Sequence, residues 1–135
     1  MFLLDTNIVS ELVKRAPDAK MVARLNREAQ TANLSISSVT VFELRFGAAR
    51  SAKPASLWAR IQRDILERFR VLAFTEQDAI VAADILAPLV GAGQNVALQD
   101  LWLAAVAMNR DLTFVTRNRR DFDRITGLKT ENWFE

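Results

Sequence analysis

The amino-acid sequence predicts an α/β protein with a central, mostly parallel sheet. Short apolar runs alternate with longer stretches of helical period along the whole chain. The intervals between those runs are long enough for helical, right-handed crossovers. Only 4 Gly and 3 Pro interrupt the 135 residues, and no repeat, low-complexity tract or linker divides them. Residues 1–135 therefore read as one domain.

Phe2-Leu3-Leu4 is the first strand and ends at Asp5. Leu34-Ser35-Ile36-Ser37 is the second, with Ser38 as the expected N-cap of the helix that follows. Arg70 to Phe74 forms the third strand, Leu112 to Thr116 the fourth, and Thr130 to Phe134 an edge strand. Helices are expected over 7–14, 17–30, 38–52, 54–68, 75–90 and 97–110. Thr75, with Asp78 three residues on, marks the start of the fifth of these, and Pro54 that of the fourth. On that fourth helix Leu57, Trp58 and Ile61 make an apolar stripe that reads as core, with part of it left outside. In such sheets ligands bind beyond the carboxyl ends of the strands, where Asp5 and Thr116-Arg117-Asn118 stand.

Composition removes several kinds of chemistry. The chain has no Cys and no His, so disulfides, thiolate nucleophiles, imidazole bases and His-ligated zinc are all excluded. Catalysis has to rest on carboxylates, hydroxyls, amides, Lys or Arg. Carboxylates without imidazole or thiolate suit hard cations such as magnesium or manganese. A net charge of +2 is too mild to imply nucleic acid by itself. No apolar run is long enough to span a membrane, and Met1 to Asp5 reads as a strand of the mature protein, not as a signal peptide, so a cytoplasmic location is expected.

Three acids stand alone in apolar surroundings. Asp5 ends an apolar strand, where Asp also serves as a helix N-cap. Glu43 lies in a helix that is apolar around most of its circumference, on a narrow arc with Thr40, Gly47 and Arg50. A half-buried carboxylate there needs a partner. Arg50 on the same face is one candidate and a cation is the other, while Gly47 would let something approach closely. Asp100 is the one charge near the start of the apolar helix Ala97 to Met108, where an acid also complements the helix dipole. Brought together, the three would repel, and a divalent cation removes the repulsion.

Four strings carry a resemblance. They are Leu3-Leu4-Asp5-Thr6-Asn7, Val41-Phe42-Glu43-Leu44-Arg45-Phe46-Gly47, Asp100-Leu101-Trp102-Leu103-Ala104-Ala105, and Thr113 to Phe122. In that order and spacing they resemble the PIN-domain family, and within it the VapC-type toxins of bacterial toxin–antitoxin pairs. The resemblance implies a three-layer α/β/α sandwich with a central parallel sheet. It also implies cleavage of RNA phosphodiesters with magnesium or manganese, inhibition by a small cognate antitoxin, and a homodimer. Matched residue by residue, it makes Asp5, Glu43 and Asp100 the acidic catalytic and metal-holding residues. Family members often carry a fourth acid where this chain has Asn118, whose amide oxygen can contact a metal-bound water but brings no charge. Three carboxylates then imply one cation held firmly and a second weakly. Asp121 is nearby, with local capping or a surface pair to Arg117 or Arg124 as its expected role. Arg117, Arg119, Arg120 and Arg124 lie just past a strand end beside the proposed site, where they can bind RNA phosphates or simply solvate a helix start. Thr6 and Thr116 are read as satisfying nearby backbone or positioning water.

The rival reading is a non-catalytic α/β interaction module with an acidic pocket. A phosphatase with a nucleophilic Asp would want a second Asp at the position of Asn7, and a receiver domain would want an acid pair and a better-placed Lys than Lys129.

Overall fold

The computed structural model describes residues 1–135, and no helix in it is long and apolar enough to cross a membrane. Five strands, β1 (Phe2–Leu4), β2 (Leu34–Ser37), β3 (Arg70–Leu72), β4 (Thr113–Val115) and β5 (Thr130–Glu131), form one sheet in the order β3-β2-β1-β4-β5. Every pairing is parallel; Leu3 lies beside Ser35 on one side and Phe114 on the other.

Adjacent residues of a strand face opposite sides of a sheet, and here both sides are covered. Leu4, Ile36 and Val115 enter one core with Ile8, Met21, Leu25, Ile61, Ile65 and Trp133. Leu3 and Phe114 enter the other with Val39, Leu103, Ala104, Ala107 and Phe122. Helices α1 (Thr6–Ser10), α2 (Ala19–Ala29) and α4 (Pro54–Ile61) supply the first core, and α6 (Leu98–Asn109) the second, with α5 (Glu76–Gly91) packed along α6. Helix α3 (Ser38–Ala49) serves both cores through Leu44 and Val39, and a short α7 (Arg119–Phe122) follows β4. The arrangement is the three-layer α/β/α sandwich.

The expected elements are present with shifted ends. The first helix stops at Ser10 and tightens into a 3-10 turn over Glu11–Val13, and α4 runs into a π-turn over Gln62–Leu66. Strand β3 ends at Leu72, because the Phe74 N–H turns away to the Ser38 hydroxyl at 3.0 Å. That bond also explains why Ser38 is not the N-cap of α3: Ser37 takes the role, accepting from the Val39 N–H at 3.0 Å. Thr75 and Asp78 form the full capping box at the start of α5. Buried Asp78 also binds Arg110 and Asn109, which ties α5 to the end of α6.

The stripe on α4 is largely core, with Ile61 buried and Leu57 and Trp58 packed against the first cluster. The exposed aromatic surface lies instead on α3, where Phe42 is 60 % and Phe46 is 53 % exposed. Arg50 does not pair with Glu43; its guanidinium lies over the Phe46 ring, 5.4 Å from the centroid. A Cβ on Gly47 would meet nothing within 4 Å, so that glycine accommodates no close approach within the chain.

Candidate active site

The sheet fixes the place of the site. From β1 the chain moves outward to β2 and β3, then returns to the far side of β1 as β4. The order reverses between β1 and β4, and the crevice beyond their carboxyl ends is the usual ligand position in such sheets. Asp5 and Thr116 leave β1 and β4 at this point, with the Asp5 N–H bonded to the Val115 carbonyl at 2.9 Å.

Both ends of the Asp5 carboxylate are held. Oδ1 accepts from the Thr6 N–H at 2.7 Å, and Oδ2 accepts from the Thr116 hydroxyl at 2.8 Å. The Thr116 hydroxyl in turn accepts from the Asn118 N–H at 3.1 Å. Asp5 is thus the N-cap of α1 and stands at the switch point of the sheet at once, as its place at the end of a strand allows. Glu43 reaches the same point from α3. Its Oε1 accepts from the Thr6 hydroxyl at 2.8 Å, and buried Thr40 lies 3.0 Å from that hydroxyl. Thr6 therefore joins the two acids, giving its backbone N–H to one and its side chain to the other. Sequence reasoning missed Thr6 and Thr116 as hydroxyl clamps on the acids, and Thr40 as the hydroxyl that supports Thr6. The available signal was their adjacency to Asp5, their place on the Glu43 arc, and their position at a strand end.

Asp100 stands half-buried in the first turn of α6, which lies against α3. It makes no hydrogen bond to the other acids and joins them through its field. Burial pushes the Asp5 carboxyl up to about 6; the bonds from Thr116 and Thr6 oppose the rise, and the charges of Asp100 and Glu43 add to it. Burial raises Glu43 as well, against the bond from Thr6 and with the charge of Asp100. Asp100 is raised by burial and by Asp121, and Arg124 partly offsets this. Each carboxylate thus resists ionising, chiefly because it is buried, and Asp5 and Glu43 also because of neighbouring acids. Asp121 makes none of the ion pairs expected with Arg117 or Arg124; it lies in the first turn of α7, and its charge acts on Asp100.

The donor set is all oxygen and carries surplus negative charge, which fits a hard divalent cation. No three of the carboxylates close on a single position. A magnesium-like ion does not require that, since it is commonly held by one or two carboxylates and keeps several waters. Asn118 is exposed, and its carboxamide makes no hydrogen bond within the chain.

The arginines fan out. Arg117 lies over the Phe134 ring at 4.3 Å, Arg119 donates to the Thr130 hydroxyl at 3.1 Å, and Arg120 is exposed. Arg124 is the one of the four whose charge reaches Asp100. Asn7, directly beyond Thr6, has a buried Oδ1 without a partner.

The PIN-domain family model matches residues 2–128. The chain belongs to the PIN-domain family. This PIN domain is 36 % identical over 132 residues to ribonuclease VapC2 of Haemophilus influenzae, covering 98 % of the chain and 97 % of the relative. It is also 36 % identical over 132 residues to the tRNA(fMet)-specific endonuclease VapC of Salmonella typhimurium, with the same coverage of 98 % and 97 %. Among solved structures it resembles the toxin–antitoxin pair VapBC2 of Rickettsia felis bound to a promoter DNA fragment, with a TM-score of 0.90, 27 % identity and 98 % of each chain covered. At this level of likeness the PIN domain falls among the VapC-type members of the family.

Proposed function

We propose that residues 1–135 form one nuclease domain acting in the cytoplasm as the toxin of a toxin–antitoxin pair. It is an endoribonuclease that hydrolyses RNA phosphodiester bonds, with magnesium or manganese held by Asp5, Glu43 and Asp100. The observation that carries this reading is the joining of Asp5 and Glu43 through Thr6 at the switch point of the sheet, within the field of Asp100. Full-length likeness to VapC ribonucleases favours it over a non-catalytic module.

A bound divalent cation would supply Lewis-acid charge for a phosphate oxygen and lower the pKa of a water. The chain's own residues do the rest. Thr116 and Thr6 fix the Asp5 carboxylate, and Thr6 with Thr40 fixes that of Glu43, so neither reorganises when substrate arrives. Asn118 orients a water through its amide oxygen. Arg124, and more distantly Arg117, Arg119 and Arg120, offer positive charge to RNA phosphates.

The relatives' names define the test. The purified chain, free of any antitoxin, is incubated with initiator tRNA and with an unrelated single-stranded RNA, in magnesium, in manganese and in chelator. Metal-dependent cleavage, suppressed by the product of a neighbouring small antitoxin gene, is the expected result. Cleavage in chelator, or none in either metal, would refute the proposal.

A further inference from the structure

In a parallel sheet all strands start at the same end, and here that end lies opposite the acids. Asn33 leads into β2, and Arg68 and Phe69 lead into β3, whose first residue, Arg70, lies beside Ser35. Between them and the end of α2 is a hollow of about 310 Å³, backed by the buried side chains of Leu34 and Phe69. No acid lines it. A smaller hollow of about 190 Å³ shares Asn33 and Arg70 with it and has no acid either. Arg110, which lines the smaller one, is spent on Asp78. The other two arginines are not spent. Arg70 is exposed and takes part in no ion pair. Arg68 gives Nη2 to Asn26 Oδ1 at 2.7 Å and lies over the Phe69 ring, 5.2 Å from its centroid. Those two contacts hold the guanidinium in place and leave the rest of its donors open.

We propose that this hollow binds a nucleoside phosphate, either free or as the end of an RNA strand. Two guanidinium groups match a phosphate monoester, whose oxygens and surplus charge suit bidentate donors. The hollow has the size of the smallest organic ligand sites, roughly 300 Å³, so a bare inorganic anion would leave most of it empty. Leu34 and Phe69 give an apolar wall for the flat face of a base. Asn33 supplies the hydrogen-bonding edge. Its Nδ2 meets only the Met1 sulfur at 3.8 Å, a weak acceptor, and its Oδ1 accepts nothing within the chain. An amide with donor and acceptor both available pairs with the edge of a base. An acidic peptide would engage the arginines and leave the amide and the apolar wall unused. The end of α2 does not oppose an anion with bare carbonyls, because that of Arg27 accepts from the Gln30 N–H and that of Glu28 from those of Thr31 and Ala32. The hollow and the acids stand at opposite ends of the strands, so the proposal does not rest on the ribonuclease reading above.

Titration calorimetry of the full chain with each of the ribonucleoside 5′-monophosphates tests this, in chelator so that no cation recruits phosphate to the acids. One saturable site per chain is expected for at least one of them, with submillimolar Kd. The matching nucleoside without phosphate, and inorganic phosphate alone, should each bind about tenfold more weakly or worse. Arg70→Gln should weaken the nucleotide by about tenfold or more, the loss of one charge-assisted contact. Arg70 is exposed and unpaired, so the far-UV circular dichroism of that variant should not change. In a nitrogen-15-labelled chain the amide signals of Asn33, Phe69 and Arg70 should move on titration while those of Thr6 and Glu43 stay still. A short RNA with a 5′-phosphate, set against its 5′-hydroxyl form, separates the two sources. Phosphate-dependent affinity that Arg70→Gln removes assigns the hollow to strand ends, and its absence beside monophosphate binding assigns it to free nucleotides. No binding of any monophosphate at millimolar concentration overturns the proposal, as does affinity indifferent to Arg70→Gln. Inorganic phosphate binding as tightly as the nucleotides, a short polyglutamate peptide binding more tightly than they do, or signals moving at Thr6 and Glu43 instead, would each overturn it too.

Discussion

The clearest consequence of the site is a stability that falls as pH rises. In the folded chain the Asp5 carboxyl is pushed from 3.8 up to about 6, chiefly by burial. Unfolded, it ionises at its ordinary value. Between those values the folded protein holds a proton that the unfolded chain has released, so stability is greatest below the unfolded value and drains away as pH climbs through about 6. A shift of about two pH units corresponds to about 3 kcal/mol, or roughly 10 °C in Tm for a chain of this size. Glu43 and Asp100, also raised, act in the same direction. Asp78 and Glu11, which are lowered, act oppositely, their contribution being lost as pH falls into the acid range. The perturbation that isolates the effect is Asp5→Asn. The amide still accepts from the Thr6 N–H and can donate to the Thr116 oxygen. Urea unfolding in chelator from acid to mildly alkaline pH is the assay. The wild type should lose about 3 kcal/mol across the window, and Asp5→Asn should lose most of that slope and be the more stable protein at high pH. Equal slopes in the two proteins would refute the burial argument for Asp5.

Three other predictions concern the surroundings. Thr116→Val removes the donor to Asp5 Oδ2 and should cut metal-dependent cleavage by about 10–100-fold, while Thr116→Ser should retain it; equal loss in both would mean packing, not the hydroxyl, matters. Asn118→Asp adds a fourth charge, so it should lower the manganese concentration for half-maximal cleavage and lower Tm in chelator; an unchanged metal requirement in a cleavage titration would exclude Asn118 from the site. Arg110→Ala leaves buried Asp78 without its ion pair and should cost about 3 kcal/mol in urea unfolding with no change in metal affinity.

Much of this molecule was readable from patterns one residue type deep. Continuous apolar runs such as Phe2-Leu3-Leu4 gave the strands, and the resemblance gave the helical layers on both faces of the sheet. Lone acids in apolar helices singled out Glu43 and Asp100 as candidates, and the fold brings Glu43 to Asp5 through Thr6. What escaped depended on tertiary partners. Ser37 and Ser38 are chemically equivalent neighbours, and only the approach of Phe74 decides which caps α3. Phe42 and Phe46 look like core because the helix is apolar on most sides; only the fold shows that Leu44 and Ala48 take the inward face. The threonine clamps were invisible because a hydroxyl bonds whatever the fold brings near. Thr6 meets Glu43 across 37 residues of sequence, and Thr116 meets Asp5 across 111.

Direct cation binding, without RNA, tests the central claim that Asp5, Glu43 and Asp100 hold one divalent ion. Manganese bound to the purified chain can be counted by electron paramagnetic resonance in the wild type and in Asp5→Asn, Glu43→Gln and Asp100→Asn, each of which removes a charge and keeps the shape. One tight manganese per wild-type chain is predicted, with affinity weakened at least tenfold in each variant while circular dichroism stays unchanged. A wild type that binds no manganese, or three variants that bind it as the wild type does, would contradict the account.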